Sequence, residues 1–190
     1  MLLNGNTFIN GDIQTGMRLL EGIREFDMIL LSSTTLTIDG TSTVKQLVKT
    51  LTVNGKFGVR IEPSTSLLMI SNLLKAYGIG LIGRSVDESG QMWAFFERKG
   101  DQREGGVETS KSVISYVHPA LSILCIGEEI EKTVKTLLAR NHEDKKSRTF
   151  VIMYDGEDSI IYENVKKYSL IYETPLERII LEAPDLTTVA

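Results

Sequence analysis

Tight-turn signals crowd the first third of this chain and constrain it more than any other feature. Asn4-Gly5, Asn10-Gly11, Asp39-Gly40 and Asn54-Gly55 each offer the positive φ that a two-residue hairpin turn requires. Short apolar runs lie between them. Thr7-Phe8-Ile9 reads as a strand, and Met28-Ile29-Leu30-Leu31 as a short buried one. Thr35-Leu36-Thr37-Ile38-Asp39-Gly40 recurs as Thr50-Leu51-Thr52-Val53-Asn54-Gly55, and both copies alternate Thr with an aliphatic residue before a turn pair. That is the period of a half-buried strand, so the second copy predicts a hairpin with Lys56 to Glu62. Two copies are too few for a solenoid.

Helical spacing appears in four places. Ile13, Met17, Leu20, Ile23 and Phe26 fall three or four apart behind Asp12, a suitable N-cap. Val44, Leu47, Val48 and Leu51 predict a short helix over Thr43 to Lys49. Residues 63–78 predict another, opened by Pro63 with Ser64 or Thr65 as cap, lined by Leu67, Ile70, Leu74 and Tyr77, and stopped by Gly78. Glu128 to Arg140 predicts a fourth, with Ile130, Val134, Leu137 and Leu138 inward and an acidic start that suits the macrodipole.

The remaining elements read as strands. Ile79 to Val86 and Gln91 to Arg98 make a hairpin around Asp87-Glu88-Ser89-Gly90, and Ser112 to Val117 is a further strand. Thr149–Tyr154 and Ser159–Tyr162 pair across Asp155-Gly156, Tyr168 to Tyr172 is one more strand, and Pro175 to Glu182 a last helical turn or two. Lys99 to Lys111 is a charged, glycine-containing loop. The expected fold is therefore α+β: a mostly antiparallel sheet built from hairpins, with about three helices packed on it. The expected domain is single, 1–190, with the 99–111 loop as the only candidate subdivision.

The 190 residues are 42 % hydrophobic, enough for a self-sufficient core, and carry a net charge of −4. A mildly acidic chain has no global field for nucleic acid, which leaves only local basic groups: Lys45, Lys49, Lys56 and Arg60; Lys145, Lys146 and Arg148; Lys166 with Lys167. Each of these reads as a solvated face or turn. Cys125, the only cysteine, cannot form an internal bridge and sits in the apolar run Leu121 to Ile126, so a reducing compartment is expected. The residues from Met1 to Asn6 do not form a secretory signal, and no apolar run approaches the ~20 residues that span a bilayer. A soluble, cytoplasmic protein is expected (host cell and virion, if viral).

No motif nominates a chemistry. Gly78-Ile79-Gly80-Leu81-Ile82-Gly83 matches the dinucleotide fingerprint by letter, but a helix precedes it and a strand follows, the reverse of what the fingerprint needs. His118 and His142 are not ligand-spaced, and the acidic knot Asp155, Glu157 and Asp158 reads as a hairpin turn. Cys125 with either histidine would need a thiol that resists ionising, and Ser42-Thr43-Val44-Lys45 lacks the partner motifs of Ser-x-x-Lys enzymes. Trp93, Phe95 and Phe96, followed by Arg98 and Lys99, resemble a single-strand stacking platform, although strand aromatics are more often core. Tyr154, Tyr162, Tyr168 and Tyr172 suit a surface where proteins meet.

No residue is nominated as catalytic, cofactor-binding or metal-ligating, and no cofactor is called for. The expected function is a non-catalytic structural or assembly protein, such as a virus or phage particle component, whose partners are copies of itself or other subunits. The alternatives are an enzyme with a carboxylate- or Lys-based site near the 99–111 loop, and a nucleic-acid module using the Trp93 strand.

Overall fold

Apolar runs that do not alternate decide the architecture. Met28–Leu31, Ile123–Ile126 and Phe150–Met153 are at most 1 % exposed at every position, so their strands are covered on both faces. Strands of that kind belong to parallel sheets flanked by helices rather than to hairpin sheets with one wet face. The computed structural model describes residues 5–22, 25–32, 40–63, 66–87, 89–98, 108–109, 112–117, 120–127, 130–145, 148–154 and 159–181. In chain order these form β1 (Thr7–Asn10), α1 (Ile13–Leu20), β2 (Phe26–Ser32), α2 (Gly40–Thr50), β3 (Leu51–Ile61), α3 (Leu67–Lys75), β4 (Ile79–Val86) and β5 (Met92–Arg98). There follow β6 (Glu108–Thr109), α4 (Val113–Val117), β7 (Ser122–Ile126), α5 (Glu131–Asp144), β8 (Thr149–Tyr154), α6 (Ser159–Ile171) and β9 (Glu177–Ile180).

All nine strands join one sheet in the order β6-β4-β5-β3-β2-β7-β8-β1-β9. Only β5 runs antiparallel to its neighbours, β3 and β4; every other pair is parallel. The expected antiparallel sheet with about three helices is therefore corrected to a mostly parallel sheet with six helices among the described residues.

The turn pairs misled because they serve other junctions. Asn10-Gly11 carries the chain from β1 into α1, where the Gly11 amide donates to the Tyr154 carbonyl at 3.1 Å. Asn54-Gly55 lies inside β3: Asn54 takes a φ of 66°, and the register against β2 jumps from Phe26↔Leu51 to Met28↔Lys56. A looped-out bulge in a parallel strand thus replaces the predicted hairpin. The conformations of Asn4, Thr35–Asp39 and Asp155-Gly156 lie outside the described residues.

Each strand alternates its side chains between two cores. One face holds Ile29, Leu31, Leu124, Ile126, Val151 and Met153 under α1, α2 and α3. The other holds Met28, Leu30, Ile123, Cys125, Phe150 and Ile152 under α4, α5 and α6. Asp12 caps α1 as expected, accepting the Thr15 amide at 3.1 Å, while Ser66 caps α3 and Gly78 (φ 76°) follows it before β4. Ser112 to Val117, expected as a strand, contains helix α4, and β9 replaces the expected final helical turns. The expected strand Ser159–Tyr162 and all but the last residue of the expected strand Tyr168–Tyr172 lie within α6. Its inward residues Tyr162, Val165 and Ser169 recur at steps of three and four, the period of a helix.

Asp27 ties three strands together at the amino end of the sheet. Its carboxylate accepts the Leu121 and Ser122 amides at 3.2 and 3.1 Å, and the Thr52 hydroxyl at 3.4 Å.

Candidate functional site

Connections in the sheet reverse direction between β2 and β7. From β2 the chain passes through α2 on one face and returns in the adjacent β3; from β7 it passes through α5 on the opposite face and returns in the adjacent β8. The two strands are parallel neighbours, Met28↔Ile123 to Leu31↔Ile126, yet the helices that follow them, α2 and α5, pack on opposite faces. In doubly wound sheets the crevice outside strand ends that part in this way is the usual ligand position.

The described residues at that end suit a ligand that approaches backbone. Gly127, directly after β7, has a φ of 115°, a conformation that side chains disfavour. Its amide donates to the Met153 carbonyl at 3.2 Å, which fixes the strand end against β8. Ile130 occupies the N-cap of α5 and offers no side-chain hydrogen bond. Asn10, at the end of β1, is buried and accepts a hydrogen bond from Arg178 Nε at 3.0 Å.

A second concavity runs along α5. It is a groove of about 770 Å³ between that helix, the end of α6, the start of α4 and the β4–β5 hairpin. Asp87 organises the hairpin: one carboxylate oxygen accepts the Ser89 amide, the Ser89 hydroxyl and the Gln91 amide at 2.9, 2.6 and 2.9 Å. The other accepts Trp93 Nε1 at 3.0 Å. Burial alone would raise the pKa of Asp87, but the hydrogen bonds from Ser89, Trp93 and Gln91 outweigh it and hold the group below its ordinary 3.8. A depressed folded value means that the stabilisation from Asp87 is complete above the ordinary value. It drains away as pH falls through the lowered one. Urea midpoints measured across the acid range should fall more steeply for the wild type than for Asp87→Asn; parallel curves would refute this.

The sequence candidates fall in different places. Trp93, Phe95 and Phe96 are fully buried, so the strand is core, as aromatics on a strand more often are, and the alternative of a stacking platform falls; Trp93 and Phe95 lie on one face and Phe96 on the other. Cys125 is buried in β7, and burial pushes its thiol pKa up to about 12, which rules out a nucleophile at neutral pH. His142 sits at the exposed end of α5, 3.9 Å from Glu173. Arg148 is not a solvated cation: only 4 % exposed, it donates to the Ala120 carbonyl at 3.3 Å and lies 3.8 Å from Asp144. Tyr162 is buried against Phe8 beneath Arg178, whereas Tyr168 and Tyr172 reach the groove. Ser42 belongs to α2. His118, Lys99, Lys146, Asp155, Glu157 and Asp158 lie outside the described residues. Among the described residues no three His, Cys, Asp or Glu side chains could together hold a metal ion, and no helix is long and apolar enough to cross a membrane.

Gly127 was missed by sequence reasoning, although its signal was present. An unbroken apolar run, a glycine and an amphipathic helix follow one another from Ser122 to Asp144. The stronger letter match at Gly78–Gly83 stands at a helix-to-strand junction, as its order in the sequence implied.

A mostly parallel sheet, doubly wound about β2 and β7 and carrying one antiparallel strand, is a Rossmann-like fold. The solved structures similar to this chain agree. M1.HpyAVI in complex with SAM superposes with a TM-score of 0.57 at 11 % identity, covering 85 % of this chain and 98 % of that one. TTHA0409 of Thermus thermophilus, classed as a DNA modification methylase, gives 0.60 at 9 % identity, covering 94 % and 100 %. The same protein complexed with S-adenosyl-L-methionine gives 0.58 at 10 %. No family model and no curated protein matches the sequence. The likeness is one of fold. It overturns the expectation of a non-catalytic assembly or virion component, because the architecture shared almost end to end is that of chains solved with S-adenosylmethionine.

Proposed function

We propose that this chain binds S-adenosylmethionine in the crevice between the carboxyl ends of β2 and β7 and methylates a nucleic acid. The observation that carries this reading is the switch in connection direction at β2 and β7, with Gly127 at its edge. A glycine there, at a φ of 115°, lets a ligand approach the backbone. The uncapped amides of α5 suit the carboxylate of the ligand's amino-acid portion.

Charge separates this ligand from other nucleotides. Between Gly127 and Ile130 the sequence supplies two acids, Glu128 and Glu129, and no base. Carboxylates at this turn repel a pyrophosphate and favour a ligand bearing ammonium, sulfonium and ribose hydroxyl groups. When bound, S-adenosylmethionine supplies an electrophilic methyl group. The chain's own part would be to hold the ligand's polar end at the end of β7, by Gly127 and the first turn of α5.

Titration calorimetry tests the reading. S-adenosylmethionine and S-adenosylhomocysteine should both bind, and NAD and ATP should not. Absence of heat with both sulfur ligands would overturn the assignment.

A further inference from the structure

The groove along α5 is not needed to bind a cofactor at the crevice, and its chemistry is specific. Lys132, Lys135, Thr136 and Ala139 follow the i, i+3, i+4, i+7 pattern of one helix face, opposite the buried Val134, Leu137 and Leu138. The face is cationic at its edges and small along its floor. Lys132 has no ion-pair partner among the described residues, and Lys135 Nζ lies 5.1 Å from the centroid of the Tyr168 ring. Three acids stand nearby, each with a partner: both oxygens of Asp87 accept hydrogen bonds within the hairpin, Glu143 lies 3.5 Å from Arg140, and Glu131 accepts from the Tyr168 hydroxyl at 3.5 Å. Tyr168 and Tyr172 form the wall from α6.

We infer that this groove holds the phosphodiester backbone of a single nucleic-acid strand, with bases against the two tyrosines; this rests on the proposal that the substrate is a nucleic acid. Lysines beside aromatic rings match a chain of phosphates carrying flat bases better than an acidic peptide, which has nothing to stack. Lys132 to Arg140 spans about 12 Å along the helix axis, the length of three or four stacked nucleotides at about 3.4 Å each. Since α5 begins at the β7 turn, a strand lying along it is led to the crevice.

Fluorescence anisotropy of a short labelled single-stranded oligonucleotide across a salt series tests the inference. Each phosphate contact on a single strand contributes about 0.7 to the slope of log affinity against log salt. The double variant Lys132→Ala/Lys135→Ala should therefore flatten that slope by about 1.4. Ala139→Trp, which fills the floor and leaves every charge in place, should weaken binding by about tenfold or more through lost stacking. Calorimetry with S-adenosylmethionine should be unchanged in Ala139→Trp, which leaves the first turn of α5 as it is. Unchanged oligonucleotide affinity and slope in the variants would overturn the groove, as would equal competition by polyglutamate. A wild type that binds S-adenosylmethionine but no oligonucleotide overturns the groove and leaves the cofactor reading standing. One that binds the oligonucleotide through the groove but no sulfur ligand does the reverse.

Discussion

Phe95→Ala is expected to lower the free energy of unfolding by about 4 kcal/mol, near the upper part of the range for a buried aromatic cut back to alanine. The ring has no exposed surface. It stacks on Tyr116 with centroids 4.2 Å apart and planes 11° from parallel, and lies 6.4 Å from Trp93. The alanine therefore loses an aromatic pair in addition to transfer free energy. Nor can the surroundings easily close on the gap. Gly58 in the adjacent β3 packs so tightly that a Cβ there would stand 2.8 Å from Phe95 and 2.5 Å from Leu30. Closing the cavity would mean moving a central strand. Urea denaturation measures the loss, and oligonucleotide affinity should stay at the wild-type value. A loss below about 1 kcal/mol, or a drop in oligonucleotide affinity with stability intact, would return the Trp93 strand to the alternative reading of a stacking platform.

That contrast shows how the sequence is legible and where it is not. Side chains report their own burial well: Met28–Leu31, Leu124–Ile126 and the Trp93 strand were readable as buried because water excludes them wherever they stand. Strand direction is another matter. Nothing local to Ser122–Ile126 distinguishes a parallel from an antiparallel neighbour, since the pairing partner is chosen by connections far away in the chain. Asn-Gly and Asp-Gly pairs report a backbone that must turn, without saying whether a strand or a helix comes next; Asn10-Gly11 opens a helix and Asn54-Gly55 a bulge. In the sequence the Asn10-Gly11 junction reads with the helix that follows it, whereas Asn54-Gly55 reads as a hairpin and the α6 segment as two strands, although Tyr162, Val165 and Ser169 carry helical spacing. The crevice suffered most, for it exists only because β2 and β7 lie side by side while their helices part. Neither residue run contains that fact.

Gly127→Val is expected to raise the dissociation constant for S-adenosylmethionine about a hundredfold, equivalent to about 2.7 kcal/mol. Two effects add. At a φ of 115° a β-branched residue is strained by about 1–3 kcal/mol, so the turn shifts to relieve it. The new methyl groups also project where the ligand meets backbone. A control is needed for the first effect alone, and Gly78 provides it. That glycine has a φ of 76° and nothing within 4 Å of a built Cβ, and it precedes β4 at the amino end of the sheet, away from the crevice. Gly78→Val should therefore lower the urea midpoint as Gly127→Val does, while leaving cofactor affinity unchanged. Gly127→Ala, with a smaller side chain and less strain, should fall between wild type and valine. If Gly127→Val proves folded by circular dichroism and still binds S-adenosylmethionine as the wild type does, the ligand does not sit at the switch between β2 and β7. The fold likeness would then stand without the site.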